Sequence, residues 1–278
     1  MTLRPAEADS GIRFRRLDVP GSAPIVATYE HVSDTLLCTT VASDEGVKVA
    51  TIEHLMAAFA GCGVDNVLVE LDGPEVPAMD GSAAPFVFLL ECADLVEQDV
   101  PRRWIRVLKP VHVHDGDRSA SLAPADGFLL SFQIEFDSPA VARQSHFVDL
   151  RNGAFKTDLC RARTFGFAND VDRLRALGLA RGGSLDNAVV VAGDRVLNDD
   201  GLRYDNEFVR HKLLDSIGDL YLAGGPLLAR FSGDRSGHAL NNMLLKKLFA
   251  DKFAWCHTDT PPGAMLPAWD WGARAATA

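Results

Sequence analysis

Twice in this chain a helical run ends at a glycine and gives way to an apolar strand, first from Glu53 to Leu71 and again from Arg210 to Phe231. Each copy carries a histidine near its start, His54 and His211. A helix with one apolar stripe and a strand with an apolar face must cover each other. The echo therefore points to two α/β halves that meet at a shared cleft. At 278 residues the chain has room for one large domain or two modest ones. A helical run from Pro85 to Val96 dissolves into Asp99-Val100-Pro101-Arg102-Arg103 before strands resume at Trp104. We expect an α+β chain of two domains, 1–100 and 101–278, each a layered sandwich of helices against a sheet.

Punctuation by glycine, proline and turn residues sets the finer elements. Strands are expected at 11–16, 25–28, 66–71, 105–113, 119–122, 128–136, 188–191, 195–197 and 227–231. Helices are expected at 51–60, stopped by Gly61, at 171–177, at 208–222 and at 239–250. Ser82 is placed to cap the helix that Pro85 opens.

Charge narrows the function. The net charge of −10 leaves no basic face for nucleic acid and little attraction to an anionic membrane. An anionic small molecule remains admissible if the cleft is locally positive. The five cysteines are odd in number and contain no C-x-x-C pair, so they read as reduced thiols of a cytoplasmic protein. The opening residues Met1 to Ala6 have no apolar h-region, so no secretory signal is expected, and no apolar run is long enough to span a bilayer.

The polar residues on the second echo carry the chemistry. In His211-Lys212-Leu213-Leu214-Asp215-Ser216-Ile217-Gly218-Asp219 the helical period puts His211, Asp215 and Asp219 on one stripe. Imidazole and carboxylate four residues apart can share a divalent metal, and they equally suit a solvated helix face. Glu53-His54 stands at the start of an otherwise apolar helix. If His54 is a ligand, Glu53 lies beside the metal as a general base; a buried capping histidine is the other reading. His238, in Ser236-Gly237-His238, lies at a helix start, where it either caps the helix or acts as an acid. His112-Val113-His114 could chelate from one strand face, but Asp115-Gly116-Asp117 follows and favours an exposed strand end. Met79-Asp80-Gly81-Ser82 reads as a structural turn. Arg161-Ala162-Arg163-Thr164-Phe165 could hold a phosphate beside an acyl chain, or form a charged strand edge over core aromatics.

Six segments occur in a fixed order: Glu53-His54-Leu55-x-Ala57-Ala58, Asp65-Asn66, Met79-Asp80-Gly81-Ser82-Ala83-Ala84-Pro85-Phe86, Cys160-Arg161-Ala162-Arg163-Thr164-Phe165-Gly166, Glu207-Phe208-Val209-Arg210-His211-Lys212-x-Leu214-Asp215 and Ser236-Gly237-His238-Ala239-Leu240-Asn241. From about Leu3 to Phe253 the chain resembles the UDP-3-O-acyl-N-acetylglucosamine deacetylases, zinc amidases of lipid A biosynthesis. The resemblance implies a site between two α/β domains, with an inserted βαβ unit around 165–191. It implies Zn2+ on His54, His211 and Asp215, with Glu53 as base. His238, oriented by Asp219, would stabilise the oxyanion or protonate the amine, and Thr164 would donate to the oxyanion. Lys212 would meet the substrate's phosphates, while Phe165, Gly183 and Leu185 would line an acyl passage.

The implied substrate is an acylated UDP-glucosamine, handled by a cytoplasmic monomer in at most transient contact with the inner membrane surface. The family's opening strand and Gly-rich turn have no counterpart before Leu3, and the tail from Trp255 has no motif. Two rivals are a zinc amidase for another acylated sugar nucleotide and a non-catalytic binding homologue.

Overall fold

A computed structural model describes residues 1–170, 176 and 182–259. The expected helix at 171–177 and most of the tail fall outside these residues. The first half is built on a four-stranded sheet of Thr2–Pro5, Val67–Leu71, Ile12–Arg16 and Ile25–Val26, in that order. Val67–Leu71 runs antiparallel to Thr2–Pro5 and parallel to Ile12–Arg16. Ile12–Arg16 follows period-2 alternation: Ile12 and Phe14 are buried, while Arg13 between them is exposed. A smaller sheet, Val32–Asp34, Thr40–Ala42 and Lys48–Val49, leads into the first helix.

Four α-helices are described in full: α1 (Glu53–Cys62), α2 (Ala84–Ala93), α3 (Glu207–Tyr221) and α4 (His238–Ala250). α1 runs past Gly61, its expected end, and stops at Gly63, whose φ of 76° supplies the left-handed cap. Gly61 serves packing instead, since a Cβ there would lie 2.0 Å from the Phe155 ring. Ser82 accepts the Ala84 N–H at 3.2 Å and so caps α2 from just outside it, with Pro85 in the first turn.

The second half carries a seven-stranded sheet around Leu227–Asp234. This strand pairs parallel with Phe128–Glu135 and antiparallel with Arg118–Pro124. The single strand expected at 105–113 is two, Trp104–Val107 and Val111–Asp115. Pro110 separates them because it brings no N–H to a ladder. The strand Arg143–Asp149, on the sheet's edge, was not expected, and Trp255–Thr258 adds a partner for Trp104–Val107. A separate three-stranded sheet joins Phe165–Phe167, Val189–Ala192 and Arg195–Val196, the first two in parallel. The echoed helices α1 and α3 pack on each other, α3 and α4 pack on the large sheet, and one continuous apolar core includes residues of both halves.

Candidate active site

The site exists because two helices touch backbone to backbone. Gly218, in mid-α3, lies against the first turn of α1; a Cβ there would stand 2.0 Å from the carbonyl oxygen of Glu53. That approach sets Glu53 and His54 directly opposite the polar stripe of α3. The chain enters α1 through Thr51 at a φ of 57°, a conformation seldom adopted by a β-branched residue. Glu53, His54, His211, Asp215 and Asp219 are all buried. Groups of this kind are seldom buried without partners.

His54, His211 and Asp215 converge, with one ligand atom from each lying within 4.8 Å of the others. Asp215 Oδ1 is 3.2 Å from His211 Nε2 and 3.5 Å from His54 Nε2. Neither contact is a formed hydrogen bond, so among the described residues Oδ1 is buried without a partner. On the far side of its ring, His211 Nδ1 lies 3.0 Å from the Ala162 carbonyl. That bond fixes the proton on Nδ1 and leaves the Nε2 lone pair facing Asp215. Burial pushes His211 down to about 3, so its imidazole is neutral. Burial opposes charge on Asp215, but cationic neighbours, Lys212 among them, hold the carboxyl well below the usual range. Burial disfavours charge on His54, but the Asp215 carboxylate beside it raises its affinity for protons. Two imidazole nitrogens and an orphaned carboxylate oxygen form a donor set that fits a divalent metal.

Proton-handling groups flank this set. Glu53 Oε2 accepts the Thr39 backbone N–H at 3.0 Å. Burial pushes the Glu53 carboxyl up, against the opposing charges of His238 and His54. His238 opens α4 and its Nδ1 lies 2.8 Å from Asp219 Oδ2. Burial disfavours its charge, yet the Asp219 carboxylate outweighs burial and raises it to about 9. His238 is thus an imidazolium at neutral pH.

Lys212 donates to Asp215 Oδ2 at 2.7 Å, so its partner is the carboxylate of the donor set. Thr164 reaches the site through its neighbours: Ala162 binds His211, and the Phe165 ring lies 5.0 Å from Phe208 and 6.4 Å from His211. The backbone of Thr164 is clamped between Gly81, whose carbonyl takes its N–H at 2.8 Å, and Val189. Gly81 fits there only as glycine, since a Cβ would meet the Asn187 carbonyl oxygen at 2.1 Å. Arg203 ties Asp80 to the same segment. The turn at 79–82 is therefore the clamp that holds the Thr164 loop. Gly183 and Leu185 lie in an exposed loop closed by Asn187 and Asn198. His112 and His114 are exposed on their strand, as expected.

Three contributors had escaped sequence reasoning. Thr39 sits between Glu53 and Asp219, Asn241 donates to Asp219 Oδ2 at 2.8 Å, and Gly218 sets the helix approach. Gly218 left a trace as a glycine in mid-helix, and Asn241 as the helical neighbour of His238; Thr39 left none.

The sequence profile of the LpxC family, the UDP-3-O-acyl N-acetylglycosamine deacetylases, matches residues 1–250. The chain belongs to this family. Among curated deacetylases, the protein named UDP-3-O-acyl-N-acetylglucosamine deacetylase from Acidithiobacillus ferrooxidans is 54% identical over 259 residues, covering 92% of this chain and 85% of the relative. The protein of that name from Xanthomonas oryzae pv. oryzae is 52% identical, covering 96% and 88%. That from Vibrio campbellii is 50% identical, covering 92% and 84%. The deacetylase match takes in every group gathered above and closes where α4 ends, at Ala250. No described helix is long and apolar enough to cross a membrane.

Proposed function

We propose that this chain hydrolyses the acetamide of UDP-3-O-acyl-N-acetylglucosamine, giving acetate and the free amine, in the cytoplasm as a step of lipid A biosynthesis. One observation carries the reading: a buried His-His-Asp donor set has the Glu53 carboxyl on one side and an imidazolium on the other.

His54, His211 and Asp215 would hold Zn2+. When bound, the ion supplies Lewis acidity, polarising the amide carbonyl and making water acidic enough to ionise near pH 7. The remaining work belongs to the chain. Glu53, with Oε2 held by Thr39, keeps Oε1 to accept the proton of the attacking water. Its raised affinity for protons, a consequence of burial, suits that role near neutrality. His238 has Nδ1 committed to Asp219 and offers Nε2–H to the oxyanion that forms as water adds to the carbonyl carbon. The Thr164 hydroxyl is the second donor. When the C–N bond breaks, the amine nitrogen takes a proton from His238 or from Glu53, and the electron pair of the oxyanion re-forms the carbonyl of acetate.

Lys212 adds positive charge that an anionic UDP group favours, and Phe165, Gly183 and Leu185 would receive the acyl chain. Rings of Phe136, Phe165 and Phe167 pack edge-to-face or tilted, with centroids within 6.4 Å of one another, and would give that path an apolar wall. A division of the chain near residue 100 would put Glu53 and His54 in one domain and the remaining groups in the other.

Acetate release from UDP-3-O-acyl-N-acetylglucosamine, with one equivalent of zinc, tests the proposal. Chelator should abolish release, and Glu53→Ala and His238→Ala should lose turnover while retaining metal. Full turnover in both variants would sink the mechanism.

A further inference from the structure

Thr39 precedes the short strand Thr40–Ala42 and is 2% exposed. Its hydroxyl donates to Asp219 Oδ1 at 2.6 Å, across 180 residues of sequence, while its N–H donates to Glu53 Oε2 at 3.0 Å. It therefore bonds both to the carboxylate proposed as base and to the carboxylate that orients the proposed acid. Among the described residues Asp219 accepts three donors, with His238 Nδ1 and Asn241 Nδ2 sharing Oδ2 and Thr39 on Oδ1.

The consequence is electrostatic. Each donor stabilises the ionised form of a buried carboxylate and draws charge away from its other bonds. With Oδ1 satisfied by Thr39, Asp219 binds the His238 proton less tightly than a carboxylate without that donor would. His238 is left charged and still able to release its proton.

We propose that Thr39 is a positioning residue that moderates the His238–Asp219 pair through its hydroxyl while orienting Glu53 through its backbone, an assignment that rests on the deacetylase reading above. The two functions separate cleanly, because Thr39→Val removes the hydroxyl and keeps both the N–H and the shape.

The titratable groups facing His238 are Asp219 and Asp215 from α3 and Glu53 and His54 from α1. None of them is altered by the substitution. With one donor gone, Asp219 concentrates its charge on His238 Nδ1, and the ring holds its proton more firmly. In the zinc-loaded full chain, Thr39→Val should raise the His238 titration midpoint, followed by histidine-selective NMR, by about one pH unit. The basic limb of kcat/KM should rise with it, and kcat should fall several-fold as His238 becomes a poorer acid. Thr39→Ser restores the hydroxyl and should restore the wild-type midpoint.

A midpoint that stays in place or moves down in Thr39→Val overturns the proposal, as does an equal rise in Thr39→Ser. If Thr39→Val does not fold, Thr39→Ala removes the same donor from a smaller side chain and must shift the midpoint in the same direction; an unmoved midpoint there overturns the proposal as well. A merely structural role would lower the melting temperature without displacing the midpoint upward. Absence of acetate release from the wild type would defeat the deacetylase reading instead, and the NMR displacement would still decide what Thr39 does to His238.

Discussion

Replacing Asp219 with asparagine isolates the charge that keeps His238 protonated. The substitution preserves the side-chain outline and leaves a group able to bond His238 Nδ1, but it deletes the negative charge 2.8 Å away. That charge is the largest influence raising His238 to about 9 against burial. Without it, only the weaker fields of Glu53 and Asp215 oppose burial, and the ring falls to about 6.5 or below. A displacement of about two and a half units corresponds to about 3 kcal/mol of lost preference for the charged ring. The sign follows from the direction of the shift. A ring that must be protonated works below its pKa and fails above it, so lowering the pKa removes activity from the alkaline side. At pH 8 the protonated fraction drops from about nine-tenths to a few per cent, a loss of roughly 30-fold in kcat/KM. Acetate release measured from pH 6 to 10 in both enzymes checks this. The quantity to read is the displacement between the two basic limbs, because a bound metal acts on both alike. A limb that does not move in Asp219→Asn would refute the reasoning, since His238 would then owe its proton to something other than this carboxylate.

Gly218→Ala should damage the site without touching a polar group. The new methyl falls 2.0 Å from the Glu53 carbonyl oxygen, so α1 and α3 must separate, and zinc affinity measured by competition with a chelating dye should fall by at least tenfold. Arg163→Met should cost about 3–5 kcal/mol, because it leaves fully buried Glu207 without the guanidinium that binds both its oxygens. Chemical denaturation reads that loss, and a change below about 1 kcal/mol would contradict it.

Much of this arrangement was legible in the sequence, for identifiable reasons. The stripe His211, Asp215 and Asp219 was readable because a helix fixes the facing of residues four apart, and α3 presents all three as expected. The echo of helix, glycine and strand pointed to two halves sharing a cleft, and the echoed helices α1 and α3 pack on each other. Gly61 misled because a glycine is either a stop or a point of close contact, and only the Phe155 ring above it decides which. Pro110 marked a strand break that an apolar pattern alone hid. Thr39 was out of reach altogether. Its two bonds depend on a loop and two helices meeting, and a threonine among loop residues carries no periodicity to announce them. The turn at Asp80 was recognised as a turn, but its service as a clamp requires Arg203, which lies 123 residues away.

The parallel pairing of Phe165–Phe167 with Val189–Ala192 has a bearing on how such a protein can diversify. The chain leaves the site at Thr164 and comes back to it at Val189, whose N–H closes onto the Thr164 carbonyl at 2.8 Å. Both ends of the intervening excursion are thus pinned at one place, and Gly81 braces them from behind. Residues added to or removed from 168–188 alter the excursion while its base stays anchored, much as a loop of cord can be lengthened beyond a fixed knot. On the acyl path proposed above, a lineage could therefore retune its preference for acyl length within that stretch and leave the groups gathered on α1, α3 and α4 undisturbed.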